Sequence, residues 1–297
     1  MSTLSRNSFA AACGVWADLA LGEPKVQPHP VSAFGMLMKR IERVLYRDER
    51  AMGVAHTAAG LSVGVAAGLL VRSTLVATYL SVAHRALIDA AQDVADALRR
   101  NDLVQARELL PSLVGRDPSQ LDSEEIIRAV VESLAENTVD AIIAPSMWGA
   151  VGGACGTLGY RAINTMDATV GHKTDRYLNY GWASARLDDA VNYIPARVTA
   201  ALVVVVRPAM ALAVWRAVRR DAPHHPSPNG GVAEAAFAAA LGLQLGGVNT
   251  YGDRIEDRAR LGCGRHPQAD DIEASIALCR DVTYACIAML VIVGVLT

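Results

Sequence analysis

Residues 132–197 concentrate the side chains that could carry chemistry. Glu132, Glu136 and Asp140 recur every four residues, which on a helix sets three carboxylates along one face. Carboxylate oxygens so spaced can hold Mg²⁺ that bridges nucleotide phosphates. A solvated helix face has the same pattern, although Asp140 runs straight into the apolar AIIAP (141–145) and fits that reading less well. The run GHKTDRY (171–177) joins a flexible glycine, the titratable His172, the point charge of Lys173, Asp175, the Arg176 fork and Tyr177. These are parts for neutralising a phosphoryl group; the plainer alternative is a charged surface loop. RLDD (186–189), with Asn192 and Arg197, repeats the mixture of acid and base. Arg186 and Asp189 are also spaced for an ordinary i,i+3 pair, and adjacent Asp188 and Asp189 point to different faces.

Weaker signals lie outside this stretch. His29 in QPHPV, the SPNGG loop (227–231) and LGGVNTYGDR (245–254) read as backbone-shaping loops whose N–H groups could approach an anion. His224-His225 and Cys263-x-x-His266 match no closed zinc motif. No P-loop, dinucleotide fingerprint or nucleophile elbow is present, so a nucleotide would bind outside the common cradles.

The elements that must position these residues are mostly helical, because β-alternation is rare and Ala, Leu and Arg dominate. Apolar helices are expected near 8–21, 52–71, 73–90, 138–160, 198–215 and 282–297, four or five of them membrane-embedded, with polar loops at 22–50, 161–197 and 216–281 in a single helical domain. Residues 52–71 are the best span, since twenty residues cover roughly 30 Å of hydrocarbon. Gly60, Gly64 and Gly68 give that helix a small-residue face for close packing within or between chains. Residues 34–47 suit an amphipathic helix with Lys39, Arg40, Arg43 and Arg47 on its polar side. Asp102 and Ser123 suit N-caps, and Pro145 is expected to end the helix begun at Glu124. Arg207-Pro208 is costly inside an apolar helix, so 198–215 is expected to be broken or to face protein. If the polar segments share one side of a membrane, either glycine-rich 149–159 or Arg207-Pro208 must interrupt a span.

The chain has 297 residues, 52% of them hydrophobic and 20% charged, with a net charge of −2. That combination suits a membrane protein with large polar segments, the alternative being a soluble helical bundle, and it carries no nucleic-acid signature. Five scattered cysteines argue against a disulfide framework, and residues 8–21 lack the flanks of a cleavable signal.

ESLAENTVDAIIAP, YRAINTMDATVGHKTDRY, ARLDDAVNYIPARVTA, SPNGG–EAAFAAALGLQLGG and the N-terminal GEP–HPV segment occur together and in order. In this the chain resembles the CobD/CbiB family, the adenosylcobinamide-phosphate synthases of cobalamin biosynthesis. The resemblance runs from about residue 14 to the C-terminus. It is thin across 91–122, and Lys173 stands where arginine is as common. It implies a multi-pass protein of the cytoplasmic (inner) membrane, with its site facing the cytoplasm. Such an enzyme joins adenosylcobyric acid to aminopropanol or its O-phosphate, consuming ATP with Mg²⁺, and an acyl phosphate is the chemical expectation. The resemblance further implies catalytic roles for His172, Lys173, Asp175, Arg176, Asp188 and Asp189. Binding would fall to Asn137, Asn164, Lys173, Arg176, Tyr177, Arg186, Arg197 and Asn229, and Mg²⁺ to Glu132, Glu136, Asp140 and Asp188. Self-association and contact with other enzymes of the pathway stay open. The rivals are a transporter for an anionic or corrinoid substrate, for which no inverted repeat is evident, and a non-catalytic scaffold, which needs no such acid–base cluster.

Overall fold

The computed structural model describes residues 1–24, 26–115, 117–251 and 254–297. Lys25 of the proline-rich turn and Gly252-Asp253 of the glycine run therefore lie outside the described residues. The described chain is mainly α, and its helices are α1 (Thr3–Leu21), α2 (Pro30–Leu45), α3 (Arg50–Val71), α4 (Thr74–Ser81), α5 (His84–Arg99), α6 (Leu103–Leu109), α7 (Ser123–Thr138), α8 (Ala144–Val170), α9 (Trp182–Val206), α10 (Ala211–Arg220), α11 (Gly230–Leu241) and α12 (Asp270–Leu296). One antiparallel hairpin, β1 (Leu245–Tyr251) and β2 (Arg254–Leu261), lies between α11 and α12. Among the described residues, four helical segments are long and apolar enough to cross a bilayer: Arg50–Val71, Ser123–Val170, Trp182–Val206 and Asp270–Leu296. The protein is a mainly α, polytopic membrane protein.

Two compact units emerge. The first comprises residues 1–84, 140–192 and 287–297. Its centre is α8, against which α1, α3 and α4 pack. The small-residue face of α3 is spent here, inside the chain. A Cβ at Gly64 would stand 2.7 Å from both the Ala162 Cβ and the Leu158 carbonyl, and one at Gly68 2.5 Å from the Cys155 Cα. The backbones approach that closely because neither glycine has a side chain. Ser5 Oγ donates to the Gly294 carbonyl at 2.6 Å, tying α1 to the end of α12.

The second unit comprises residues 85–139 and 193–286. Helix α7 starts at a capping box in which Asp122 accepts from the Glu125 amide and Glu125 from the Asp122 amide. Asp122 is thus the cap and Ser123 the first helical residue, so the helix starts one residue earlier than expected. Val131, Ala217, Ala235, Ala238, Leu243, Leu245 and Leu261 form a buried core that joins α7, α10, α11 and the hairpin.

The structure corrects several local expectations. Pro145 does not end a helix: a π turn over Val139–Ile143 carries α7 into α8. Pro145 has no N–H for the carbonyl four residues back, and the Ala83 amide supplies that bond to Ala141 O at 3.1 Å instead. The break in the glycine-rich run comes at Gly153, whose φ of 61° suits glycine. Residues 73–90 form two short helices, α4 and α5, rather than one. The terminal helix begins at Asp270, giving it the length of a span. Most of the supposed loop 161–197 is helix, leaving 171–181 between α8 and α9. Within LGGVNTYGDR, Leu245–Tyr251 form β1 and Arg254 opens β2, so the described residues of that run are strand and not a plain loop. At Arg207-Pro208 α9 does stop, and Arg207 pairs with Asp281 at 2.8 Å.

Candidate functional site

In the first unit, polar side chains of α8 and α9 close a ring with the π turn. Asn164 Nδ2 donates to Asp140 Oδ2 at 3.1 Å and to Asp188 Oδ1 at 3.4 Å. Asn192 Nδ2 donates to Asp188 Oδ2 at 3.0 Å. The Tyr160 hydroxyl is 2.9 Å from Asn192 Oδ1 and 3.2 Å from the Asp140 carbonyl, which returns the ring to its start. Asn164 and Asn192 therefore orient Asp188 through neutral amides, and its charge is not neutralised by those bonds. Asp167, one turn beyond Asn164, and Asp189 lie within electrostatic range of Asp188. Lys173 and Arg186 lie within range of Asp189, the latter at 4.0 Å. An oxygen-only donor set of this kind suits a hard dication such as Mg²⁺.

The 171–177 run is anchored on α2. Arg176 Nη2 meets Glu42 Oε1 at 2.9 Å, Tyr177 OH donates to the same oxygen at 3.0 Å, and Tyr46 OH donates to the Arg176 carbonyl at 3.0 Å. The Arg176 guanidinium also lies 4.1 Å from the centre of the Tyr46 ring. Burial raises the Tyr177 phenol above its ordinary value. His172 Nε2 stands 2.9 Å from the Ala168 carbonyl, and His172, Lys173 and Asp175 are exposed.

In the second unit, Glu132 accepts from the Gly246 amide at 2.9 Å and stands 3.5 Å from Arg128, which donates to the Gly246 carbonyl at 2.7 Å. Asn137 bonds back to Ser133 within its own helix. Arg197 donates to Asn229 Oδ1 at 2.9 Å and to the Pro228 carbonyl at 3.1 Å, holding the SPNGG loop. That loop closes over Glu136, His225 and Glu234, whose nearest donor atoms lie within 4.8 Å of one another. Burial lowers the His225 imidazole below its ordinary value, against the opposing pull of the Ser227 carbonyl and the Glu136 carboxylate.

Of the residues singled out from sequence, Asp140, Asn164, Asp188 and Asp189 cluster in the first unit with the 171–177 run and Arg186. Glu132, Glu136, Asn137, Arg197 and Asn229 belong to the second. Of the expected Mg²⁺ set, Asp140 and Asp188 belong to the first unit and Glu132 and Glu136 to the second. A π turn begins at Val139, so the regular α-helical i, i+4 spacing stops just before Asp140. Sequence reasoning missed Asp167, Tyr160, Glu42, His225 as a partner of Glu136, and Glu234. Only Asp167 carried a local signal, three residues after Asn164 and so on its helix face.

The family model for the CobD/CbiB protein matches residues 11–279. The cobalamin biosynthesis protein CobD of Mycobacterium tuberculosis is 43% identical over 297 residues, covering 95% of this chain and 94% of that protein. The protein of the same name from Pelobacter propionicus is 43% identical over 84% of each chain, and that from Halalkalibacterium halodurans 37% identical over 93% of each. No solved structure is significantly similar.

Proposed function

Because this chain belongs to the CobD/CbiB family and so to cobalamin biosynthesis, we propose that it is an ATP-dependent acid–amine ligase of the cytoplasmic membrane. It would join adenosylcobyric acid to aminopropanol or (R)-1-amino-2-propanol O-2-phosphate, giving adenosylcobinamide or its phosphate. The observation that carries the reading is the amide-braced carboxylate ring of Asp140, Asn164, Asp188, Asn192 and Tyr160, with Lys173 in reach of neighbouring Asp189.

The chemistry needs such a site. A carboxylate does not react with an amine until one oxygen becomes a leaving group. The propionate oxygen attacks the γ-phosphorus of ATP, ADP leaves, and an acyl phosphate forms. The amine nitrogen then attacks the acyl carbon, phosphate departs, and the nitrogen loses a proton. Asp140 and Asp188 would hold Mg²⁺, which when bound neutralises phosphate oxygens. Asp189 or Asp167 accepts the proton of the amine. Lys173, on the exposed loop, binds the phosphate of ATP or of the amino alcohol as a point charge, with His172 beside it. Arg176 and Tyr177 position that loop through Glu42, and Arg197 with Asn229 positions the SPNGG loop. Glu132 is already engaged by Arg128 and the Gly246 amide, so the metal role falls to the aspartates. The site faces the cytoplasm, where ATP is.

Detergent-purified protein, given adenosylcobyric acid, Mg·ATP and the amino-alcohol phosphate, should yield a corrinoid heavier by the amine less water, and only with ATP. Intact, corrinoid-binding protein that makes no product would overturn the ligase reading in favour of transport.

A further inference from the structure

We propose that Glu136, His225 and Glu234 form a binding site for a transition-metal dication, Zn²⁺ in the first instance, separate in its ligands from any Mg²⁺ at the aspartates. The three residues come from α7, the loop before α11, and α11 itself. His225 Nε2 stands 3.2 Å from Glu234 Oε1, with side-chain exposures of 3% and 1%. Burial this deep of a histidine and a glutamate, with the half-buried Glu136 beside them, is unusual unless charge is matched.

The imidazole is set up as a ligand. Its Nδ1 lies 3.1 Å from both the carbonyl oxygen and the amide nitrogen of Ser227, so that residue can satisfy Nδ1 with or without its proton. A bound ion selects the tautomer with the proton on Nδ1, donated to the Ser227 carbonyl, and Nε2 then carries its lone pair into the cluster. Nε2 is buried, faces Glu234 Oε1 and makes no hydrogen bond, which leaves it available to an ion in the cluster.

The carboxylates need a cation or a proton between them. Glu136 and Glu234 are within bonding distance of each other, and Arg258 nearby offsets one of the two charges. Glu132, also in range of His225, has its own guanidinium in Arg128. One imidazole nitrogen with two carboxylates is a borderline donor set of the kind that suits Zn²⁺, Mn²⁺ or Fe²⁺ better than Mg²⁺, and three protein ligands leave a coordination position open. The loop leaves room at the donors because residue 230 is glycine. A Cβ there would stand 2.7 Å from Glu136 Oε1 and 3.2 Å from His225 Cε1.

The proposal does not rest on the ligase reading, and its test reads no activity. Full-length protein, stripped with a chelator in detergent, is titrated with Co²⁺. Visible d–d bands should saturate at one equivalent, disappear on adding Zn²⁺, and require roughly 100-fold more metal in His225→Gln and Glu234→Gln. No saturable bands in the native protein, or bands unchanged in both variants, would overturn the site and leave a shared proton between the glutamates. Should the variants fail to fold, pulsed EPR of Co²⁺ bound to the native protein decides: coupling to one imidazole nitrogen supports the site, and none removes it.

Discussion

Asp188→Asn separates an electrostatic role from a structural one. Asp188 accepts from Asn192 at 3.0 Å and from Asn164 at 3.4 Å. The new amide keeps one acceptor oxygen, which serves the shorter bond. Asn192 cannot turn its amide round without surrendering the Tyr160 hydroxyl on its own oxygen, so the long contact with Asn164 becomes donor against donor. Demoting a charge-assisted bond to a neutral one costs about 1 kcal/mol, and the lost second bond about as much. Removing a negative charge near Asp167 and Asp189 opposes that loss. The net change should be about 1 kcal/mol, or roughly 2–4 °C in Tm for a chain of this size. If Asp188 neutralises developing charge through a bound dication, turnover should fall about 10²–10³-fold, the loss of one preorganised electrostatic group. The assay is kcat by corrinoid mass change, beside the melting temperature in the same detergent. Turnover within about threefold of the native enzyme at an unchanged Tm would refute the role and leave Asp188 a hydrogen-bond acceptor.

Three further outcomes are expected. Gly64→Leu drives a side chain into the Leu158 carbonyl and Ala162 and should cost about 1–3 kcal/mol or more; an unchanged melting temperature would mean that α3 and α8 do not meet there. Burial alone would raise the Asp221 carboxyl, but the Arg220 guanidinium and the Gly262 amide outweigh it and hold it below its usual 3.8. Its stabilisation should therefore be complete above that value and vanish as pH falls through the folded one. Asp221→Asn should flatten the acid limb of the stability curve, and an identical limb would count against the pairing. Cys263 is exposed and lies within electrostatic range of Arg220, at the end of the basic helix α10. By the positive-inside rule, a membrane-impermeant maleimide should label it in inverted vesicles; labelling in intact cells instead would reverse the assigned orientation of that segment.

Composition and periodicity were enough for the class of this protein. A helix of twenty apolar residues closes its own backbone hydrogen bonds, so a membrane-spanning segment is legible from local sequence alone. The break at Arg207-Pro208 was legible for the same reason, since proline withholds a donor wherever it stands. The order of the polar motifs was enough for the family. What the motifs do together was not legible. Glu132, Glu136 and Asp140 look like one regular stripe at constant spacing, yet a π turn begins at Val139, and such a turn leaves no mark in an i, i+4 count. Pro145 was misread as a helix end because the bond it cannot make is supplied by Ala83, sixty residues earlier in the chain. The grouping of Glu136 with His225 and Glu234 likewise joins positions separated by about ninety residues. Local sequence sets which groups are available and which way a helix face turns. Which groups meet is decided by packing between distant segments, and that is where the charge of each buried side chain finds, or lacks, its partner.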